Sequence, residues 1–300
     1  MTRAIPIVCV LLLSAACVTP EPERTPVTAI ELVETEVAAD SAQMAVFNEV
    51  MAEAQQQQWH TLPFGEILQE VGVWFSGTPY VGGMLDAEPG EPLVVTLTSF
   101  DCVLLIETVM ALAQGIAVED YGYATFVGHL EALRYREGMR DGYCSRLHYF
   151  SEWIADNEAR GTLEHITDDL GGEVLDKRLD FMSRNRDKYP RFAENDSLFA
   201  GVVDMEAEVR DLTLYHIPQA EINTVYDRLQ AGDIIATSTY LDGLDVTHSG
   251  FVFEKGDGRI GFLHASTSGG VKVSPDLQRY VENNKVQIGI VVARPIDPRF

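Results

Sequence analysis

Apolar residues recur at helical spacing twice in the first part of the chain. Met44, Phe47, Val50, Met51 and Ala54 mark one helix beginning at Ser41, with 55–58 as its polar end. Ile67, Leu68, Val71 and Trp74 mark another over 64–75. The texture then changes: 76–83 is rich in glycine and proline and reads as a turn, and 93–97 (LVVTL) reads as a buried strand. From Cys102 to Ala113 the sequence is apolar on nearly every side, which predicts a helix inside the core. Residues 117–230 read as mostly helical, most clearly at 147–157 and 222–229. The last seventy residues predict strands at 233–239, 247–253, 260–264 and 286–293, with Gly256-Asp257-Gly258 turning a hairpin between the second and third. A buried helix followed by consecutive strands predicts an α+β fold, one helix packed on one face of an antiparallel sheet, with a large helical insertion between them. It argues against a βαβ dinucleotide unit, and no internal repeat is visible.

The chain starts differently. Arg3 precedes a thirteen-residue apolar run, 4–16, well short of the roughly 20 residues a membrane-spanning helix needs. A short positive start, an apolar stretch and small residues before a cut site read as an export signal, 1–16. Leu13-Ser14-Ala15-Ala16-Cys17 resembles a bacterial lipobox, although Leu13 stands one place further from the cysteine than that pattern has it. The match implies acylation of Cys17; plain signal removal is the alternative. Residues 17–40 carry Pro20, Pro22 and Pro26 among acids and read as a solvated tether, leaving 41–300 as the working domain. The expected location is the periplasm or cell envelope, with a lipid anchor at Cys17.

Across 300 residues, 46 Asp and Glu stand against 22 Lys and Arg, a net charge of −24. Such a chain repels phosphate backbones, so nucleic acid is not an expected partner. With Cys9 in the signal and Cys17 in the anchor, Cys102 and Cys144 remain. In an oxidising compartment two cysteines read by default as one disulfide.

A second reading gives Cys102 chemistry. It opens the buried helix, where unpaired amides and the positive end of the helix dipole favour a thiolate, the reactive form of cysteine. Such a nucleophile needs a base within hydrogen-bond reach, and the base needs a partner that holds its tautomer. His248 begins one strand and His264 ends the next, sixteen residues apart across the hairpin. One imidazole can then face Cys102 while the other orients it. Taken singly, each residue has a plainer role: a core thiol is a small hydrophobe, and a strand histidine is structural. No His-Glu-x-x-His and no CxxC occurs, so zinc hydrolysis has little support and neither metal nor other cofactor is expected.

Gly77-Thr78-Pro79-Tyr80, Phe100-Asp101-Cys102, Thr247-His248-Ser249-Gly250-Phe251 and Leu263-His264-Ala265-Ser266, in that order, resemble the NlpC-type cell-wall cysteine hydrolases, a papain-like superfamily. Leu133-Arg134-Tyr135, the run 145–149 (SRLHY) with Trp153, Gly232-Asp233-Ile234-Ile235 and Gly243-Leu244-Asp245-Val246 make the chain most similar to the N-acetylmuramoyl-L-alanine amidase-like branch, over roughly 62–296. The resemblance implies Cys102 as nucleophile, His248 as general base and later acid, and His264 as the orienting third member. It makes Tyr80 a hydroxyl that orients the thiol or supports the oxyanion, with the Cys102 amide as a further donor. Asp101 matches an acid that, in the endopeptidase branch, helps bind the free amine of a stem peptide. Val103 and Leu104 stand where that branch has Ser-Gly, which favours the amidase.

Arg134, Arg136, Arg140 and Arg146 cluster within 13 residues. Guanidinium forks bind carboxylates bidentately, and muramoyl peptides carry several. Arg146 above all, with Arg134 and Trp153, is therefore expected in a substrate groove; a face neutralised by Glu131, Glu137 and Asp141 is the plainer alternative. His148 is expected to pack or shape the groove, and Cys144 to be a structural or partly exposed thiol. The combined expectation is an exported cysteine amidase acting on peptidoglycan or muropeptides at the bond between N-acetylmuramic acid and L-alanine. That choice of bond rests on the resemblance alone. A γ-D-glutamyl-diamino acid endopeptidase is the alternative with the same relay, and a non-catalytic envelope protein with a Cys102–Cys144 disulfide is the alternative from another class.

Overall fold

A computed structural model describes residues 41–88, 90–256 and 258–300. The export signal, Cys17 and the tether all fall outside the described residues. Among the described residues, no helix is long and apolar enough to cross a membrane.

The amphipathic helices form where their apolar spacing puts them. α1 (Ser41–Gln56) buries Phe47, Val50, Met51 and Ala54, and α2 (Phe64–Trp74) buries Ile67, Leu68 and Val71. α3 (Cys102–Ala117) buries every residue from Leu104 to Ala113, because it is flanked by α2 and α4 (Tyr123–Arg134) and lies on the sheet. Asp101 caps it, the carboxylate accepting the Leu104 amide at 2.9 Å. An anion there satisfies an orphan donor and complements the helix dipole.

The strands are β1 (Leu163–His165), β2 (Glu173–Val174), β3 (Tyr215–Pro218), β4 (Ile234–Thr239), β5 (Val246–Glu254), β6 (Ile260–Ser266), β7 (Gly270–Ser274) and β8 (Gln287–Pro295). They form one antiparallel sheet in the order β2-β3-β8-β4-β5-β6-β7, with β1 also pairing with β8. α3 covers one face of the sheet, as expected, and the other face is covered as well. Ile234, Ala236, Phe251 and Leu263 point into the core under α3, while Ile235, Val252, Phe262 and Val292 pack on the other side. That second side is covered by the 3₁₀ helix Gln219–Val225 and by α9 (Leu277–Glu282). Alternate residues of a strand face opposite ways, so a sheet covered twice explains the unbroken apolar run Ile234-Ile235-Ala236.

Three further expectations change. Residues 93–97 form no strand: the Leu97 amide donates to Gln43 Oε1 at 2.5 Å, the Thr96 hydroxyl to the Ser99 carbonyl at 2.9 Å, and the Val94 carbonyl accepts from Arg134 at 2.6 Å. Side chains take hydrogen bonds that a ladder would supply. The stretch 117–230 holds α4, α5 (Phe150–Ala159), α6 (Phe181–Arg184), α7 (Pro190–Ala193) and α8 (Asp196–Val209), but β1, β2 and β3 interrupt it, and 222–229 is largely 3₁₀ helix and turn. Strands of two to four residues are too short to show a period. β7 and α9 fall where no element was expected.

The insertion has its own apolar centre, formed by Tyr149, Met182, Phe192, Val202 and Met205 among others. The Tyr149 hydroxyl donates to Glu206 at 2.7 Å within it.

Candidate active site

The site grows from the β5–β6 hairpin. Its ladder registers Glu254 with Ile260 and Phe251 with Leu263, which brings Gly250 up against His264. A Cβ at Gly250 would lie 2.4 Å from the Leu263 carbonyl oxygen and 2.9 Å from His264 Cβ, so a side chain there would displace the ring. With glycine in place, His248 Nε2 and His264 Nδ1 meet at 2.8 Å, their rings nearly perpendicular. His264 Nε2 lies 3.0 Å from Ser274 Oγ on β7, reached diagonally because Ser274 pairs with Phe262. Phe262 stacks on His264, and Tyr280 of α9 lies against both histidines. Burial lowers His248 to about 4. Burial, with the neighbouring His248 and Lys272, lowers His264 to about 3. Both rings are neutral at pH 7.

Cys102 is free and partly exposed in the first turn of α3, which packs on β5. It shares a cavity of about 570 Å³ with His248, walled by Val103, Leu147, Phe150, Trp153 and Leu244. Although the residue keeps some exposure, desolvation of its packed sulfur, followed by the charge of Asp101, raises the thiol to about 11. Hydrogen bonding from Ser249 and from the cysteine's own amide works the other way and loses. This differs from the expectation of a resting thiolate: the helix end is present, but burial of the sulfur, and after it the carboxylate that caps the helix, outweighs its field. Among the described residues no hydrogen bond joins Cys102 to His248, whose Nε2 is engaged by His264. Cys144 is also free and half-buried, so no disulfide joins the two cysteines.

Tyr80 is held from two sides. It forms a short parallel bridge with Phe100, the Val81 amide donating to Phe100 and the Phe100 amide to Pro79, both at 3.0 Å. On the other side the Gly77 amide donates to the Val271 carbonyl at 2.8 Å and the Val271 amide to Thr78 at 2.9 Å. This contact requires glycine at 270, which has φ +70° and where a Cβ would lie 2.1 Å from the Thr78 oxygen. The hydroxyl of Tyr80 is pushed up by burial, then by Cys102 and Asp101, which places it in the field of the thiol.

The arginines expected in the groove lie elsewhere. Arg134 is 1% exposed, with Nε 2.7 Å from Glu107 on α3 and Nη1 on the Val94 carbonyl. Arg146 is 4% exposed, paired with Asp86 at 2.5 Å and Glu91 at 3.2 Å. Neither lines the cavity beside Cys102. Their partners Asp86, Glu91 and Val94 belong to the loop that runs from Tyr80 to Phe100, and Arg140 and Arg191 also donate to that loop's carbonyls. Trp153 does line the cavity, but it is 1% exposed and stacked on Phe150. His148 lines it too, its Nε2–H donating to the Tyr143 carbonyl at 2.8 Å, and burial lowers it to about 3.

Two positions that join the site by contact escaped sequence reasoning. Ser274 extends the histidine pair, and only the alternation of 270–274 could have hinted at its strand. Asp245 sits deep in the cavity wall, accepting the Ser151 amide at 2.7 Å and the Val246 amide at 2.8 Å. It thereby caps α5 and ties the insertion to the start of β5. Among the described residues no group of three or more His, Cys, Asp or Glu side chains could hold a metal ion.

The sequence profile of AmiA-like proteins, described as N-acetylmuramoyl-L-alanine amidase-like, matches residues 70–290. No curated protein matches the chain. Among solved structures, an N-acetylmuramoyl-L-alanine amidase from Bacteroides uniformis is similar over 78% of this chain and 99% of its own, at 30% identity and a TM-score of 0.73. A Bacteroides fragilis protein provisionally described as a xylanase is similar over 75% of this chain and 99% of its own, at 30% identity and a TM-score of 0.66. A Legionella pneumophila protein shares the fold over 85% of this chain and 97% of its own, at 21% identity and a TM-score of 0.60.

Proposed function

This chain belongs to the AmiA-like, N-acetylmuramoyl-L-alanine amidase-like family, and from that premise we propose that it is a cysteine amidase of peptidoglycan or muropeptides, with a papain-like NlpC-type arrangement of nucleophile helix and sheet. The bond cut is the amide between N-acetylmuramic acid and L-alanine. The observation that carries this reading is the hydrogen-bonded relay His248–His264–Ser274 opening on the cavity that Cys102 lines.

The relay has a productive sense. His264 Nε2–H donates to Ser274, and its Nδ1 accepts from His248 Nε2–H. His248 Nδ1 then keeps its lone pair, available to the thiol. With the thiol near 11 and His248 near 4, the resting pair is neutral, so His248 takes the proton as sulfur attacks rather than beforehand. Substrate in the cleft draws the two together, as catalytic hydrogen bonds often tighten only on binding. The C–S bond forms, the oxyanion rests on the Cys102 amide and the Tyr80 hydroxyl, and His248 returns the proton to the departing L-alanine nitrogen as the C–N bond breaks. Water, deprotonated by His248, then releases the muramoyl acid and restores the thiol.

Asp101 acts here as the cap of α3, its carboxylate engaged by the Leu104 amide rather than by a substrate amine. An envelope location suits the substrate, with acylated Cys17 as the anchor. A glycosidase would need two carboxylates about the sugar bond; among the described residues Asp245 is the one acid lining the cavities on either side of His248, and it is held by two backbone amides.

Mass spectrometry of digested muropeptides tests the proposal. The expected products are intact stem peptides and free sugar acids, absent with Cys102→Ala. A cut within the stem peptide would instead identify the endopeptidase.

A further inference from the structure

The fold holds a second cavity that the proposed reaction does not use, and we propose that it binds a small organic cation, an apolar body carrying one protonated amine. This cavity measures about 640 Å³ and lies between α5 and the strands β1, β3 and β8. Its volume is within the range of small-molecule sites, about 300–1,000 Å³. α5 divides it from the catalytic cavity. Phe150 and Trp153 face the cysteine side, while Ser151, Ile154, Ala155 and Glu158 face the other. Asp245 and Val246 form the seam and line both cavities. None of Cys102, His248 and His264 lines the second one.

The lining sets the class of ligand. Its floor is apolar, built from Ile154, Leu175, Leu214, Val246 and Val291, a surface that takes hydrocarbon out of water. Its charged groups are of one sign: among the described residues Glu158 and Asp245 line the cavity, and no lysine or arginine does. Asp245 is 3% exposed and already engaged by the Ser151 and Val246 amides. Glu158 stands exposed at the mouth, where one of its oxygens accepts the His165 amide at 2.8 Å. The His165 ring is no internal cation. Burial lowers it below the ordinary histidine value, and the charges of Glu158, Asp168 and Asp169, which act to raise it, are outweighed. Three carboxylates close enough to act on one ring of the wall give the entrance a negative field.

An ammonium with an apolar body meets both conditions. The body covers the floor. The head donates to Glu158 and to the hydroxyls of Thr213 and Tyr215, which share the wall, and at the mouth it keeps part of its water. A hydrogen bond between ionised partners is about twice as strong as a neutral one, so the carboxylate selects the charge. A ligand bearing carboxylates, as a stem peptide does, would meet acids alone, which sets this cavity apart from a place for the substrate.

Titration calorimetry on the full protein tests this with three probes that share one rigid body: adamantylmethylammonium, adamantylmethanol and adamantanecarboxylate. The ammonium should bind about five- to tenfold more tightly than the alcohol, the margin of a charge-assisted over a neutral hydrogen bond, and the carboxylate should not bind. Glu158→Gln keeps an acceptor for the His165 amide and should bring the ammonium down to the affinity of the alcohol. Ala155→Trp, at a partly exposed wall position, fills the cavity and should abolish binding of both. Should that variant fail to fold, Glu158→Gln decides the matter by itself, since position 158 is exposed. Equal affinity for ammonium and alcohol, or no saturable binding of the ammonium at millimolar concentration, overturns the proposal. So does a preference that survives Glu158→Gln, or binding that survives Ala155→Trp, which would put the probe elsewhere on the molecule.

Discussion

The histidine hairpin and the arginine stretch 134–146 both stand out in the sequence as candidates for chemistry, and the fold treats them differently. His248 and His264 converge at 2.8 Å beside the cavity that Cys102 lines. Arg134 and Arg146 turn inward and neutralise Glu107, Asp86 and Glu91. The difference lies in what fixes each set. A two-strand turn sets register, register sets which side chains share a face, and a small residue at position 250 lets two of them touch. Charge clustering carries no such geometry. A guanidinium takes whichever anion is nearest, and in a chain of net charge −24 that anion is supplied internally.

The contrast can be broken experimentally, and the largest expected effect is at the hairpin. His248→Ala should lower kcat by at least about 10⁴-fold, the scale seen when a general base is removed from a catalytic set, with single-turnover kinetics as the measure. Arg134→Ala should act on stability instead. It strands Glu107 uncompensated in the core, a loss of about 3–5 kcal/mol readable by denaturant titration, while kcat per folded molecule stays near wild type. The pair Arg134→Met/Glu107→Leu should recover most of that loss; a large fall in kcat in that pair would place the arginine in the reaction after all.

Ser274→Ala should reduce kcat about three- to tenfold, the worth of one neutral hydrogen bond, at constant KM, with Ser274→Thr restoring it. A shifted acid limb in the Ser274→Ala pH profile distinguishes positioning of the imidazole from a merely structural role. The smallest effect is a position rather than a loss. Because His248 is lowered to about 4 and the thiol raised to about 11, the base is neutral above the first value and the thiol intact below the second. The kcat/KM profile should therefore stay level between these limits and fall on either side. An acid limb near 6.5, the ordinary histidine value, would show that the imidazole is not desolvated as described.

Much of this arrangement is readable before folding. The helices over 41–56 and 64–74 follow their apolar period, the α3 helix follows its unbroken apolar composition, and the hairpin follows its glycine turn. What the pattern misses is where backbone partners come from a distance. The run 93–97 has the composition of a strand, yet its polar groups are met by Gln43, Ser99 and Arg134. β1, β2 and β3 are too short for a period to show. In the site, the cysteine and both histidines are recognisable by residue type and spacing. Ser274 and Asp245 are not, because a serine on a strand and an aspartate in a loop join the site only through the neighbours the fold gives them. The protonation state of Cys102 was equally hidden: the helix start argues for a thiolate, and only the packed surroundings and the Asp101 cap reverse it.

β7 ends the sheet, and an unpaired terminal strand is a template onto which another polypeptide can add. Here the amide and carbonyl of Val271 are both taken by the Gly77–Thr78 turn, in a contact tight enough to demand glycine at 270. The turn that presents Tyr80 thus also shields this margin of the sheet from self-association. Loosening it would endanger solubility and turnover together, which couples the enzyme's resistance to aggregation to the placement of a single phenol.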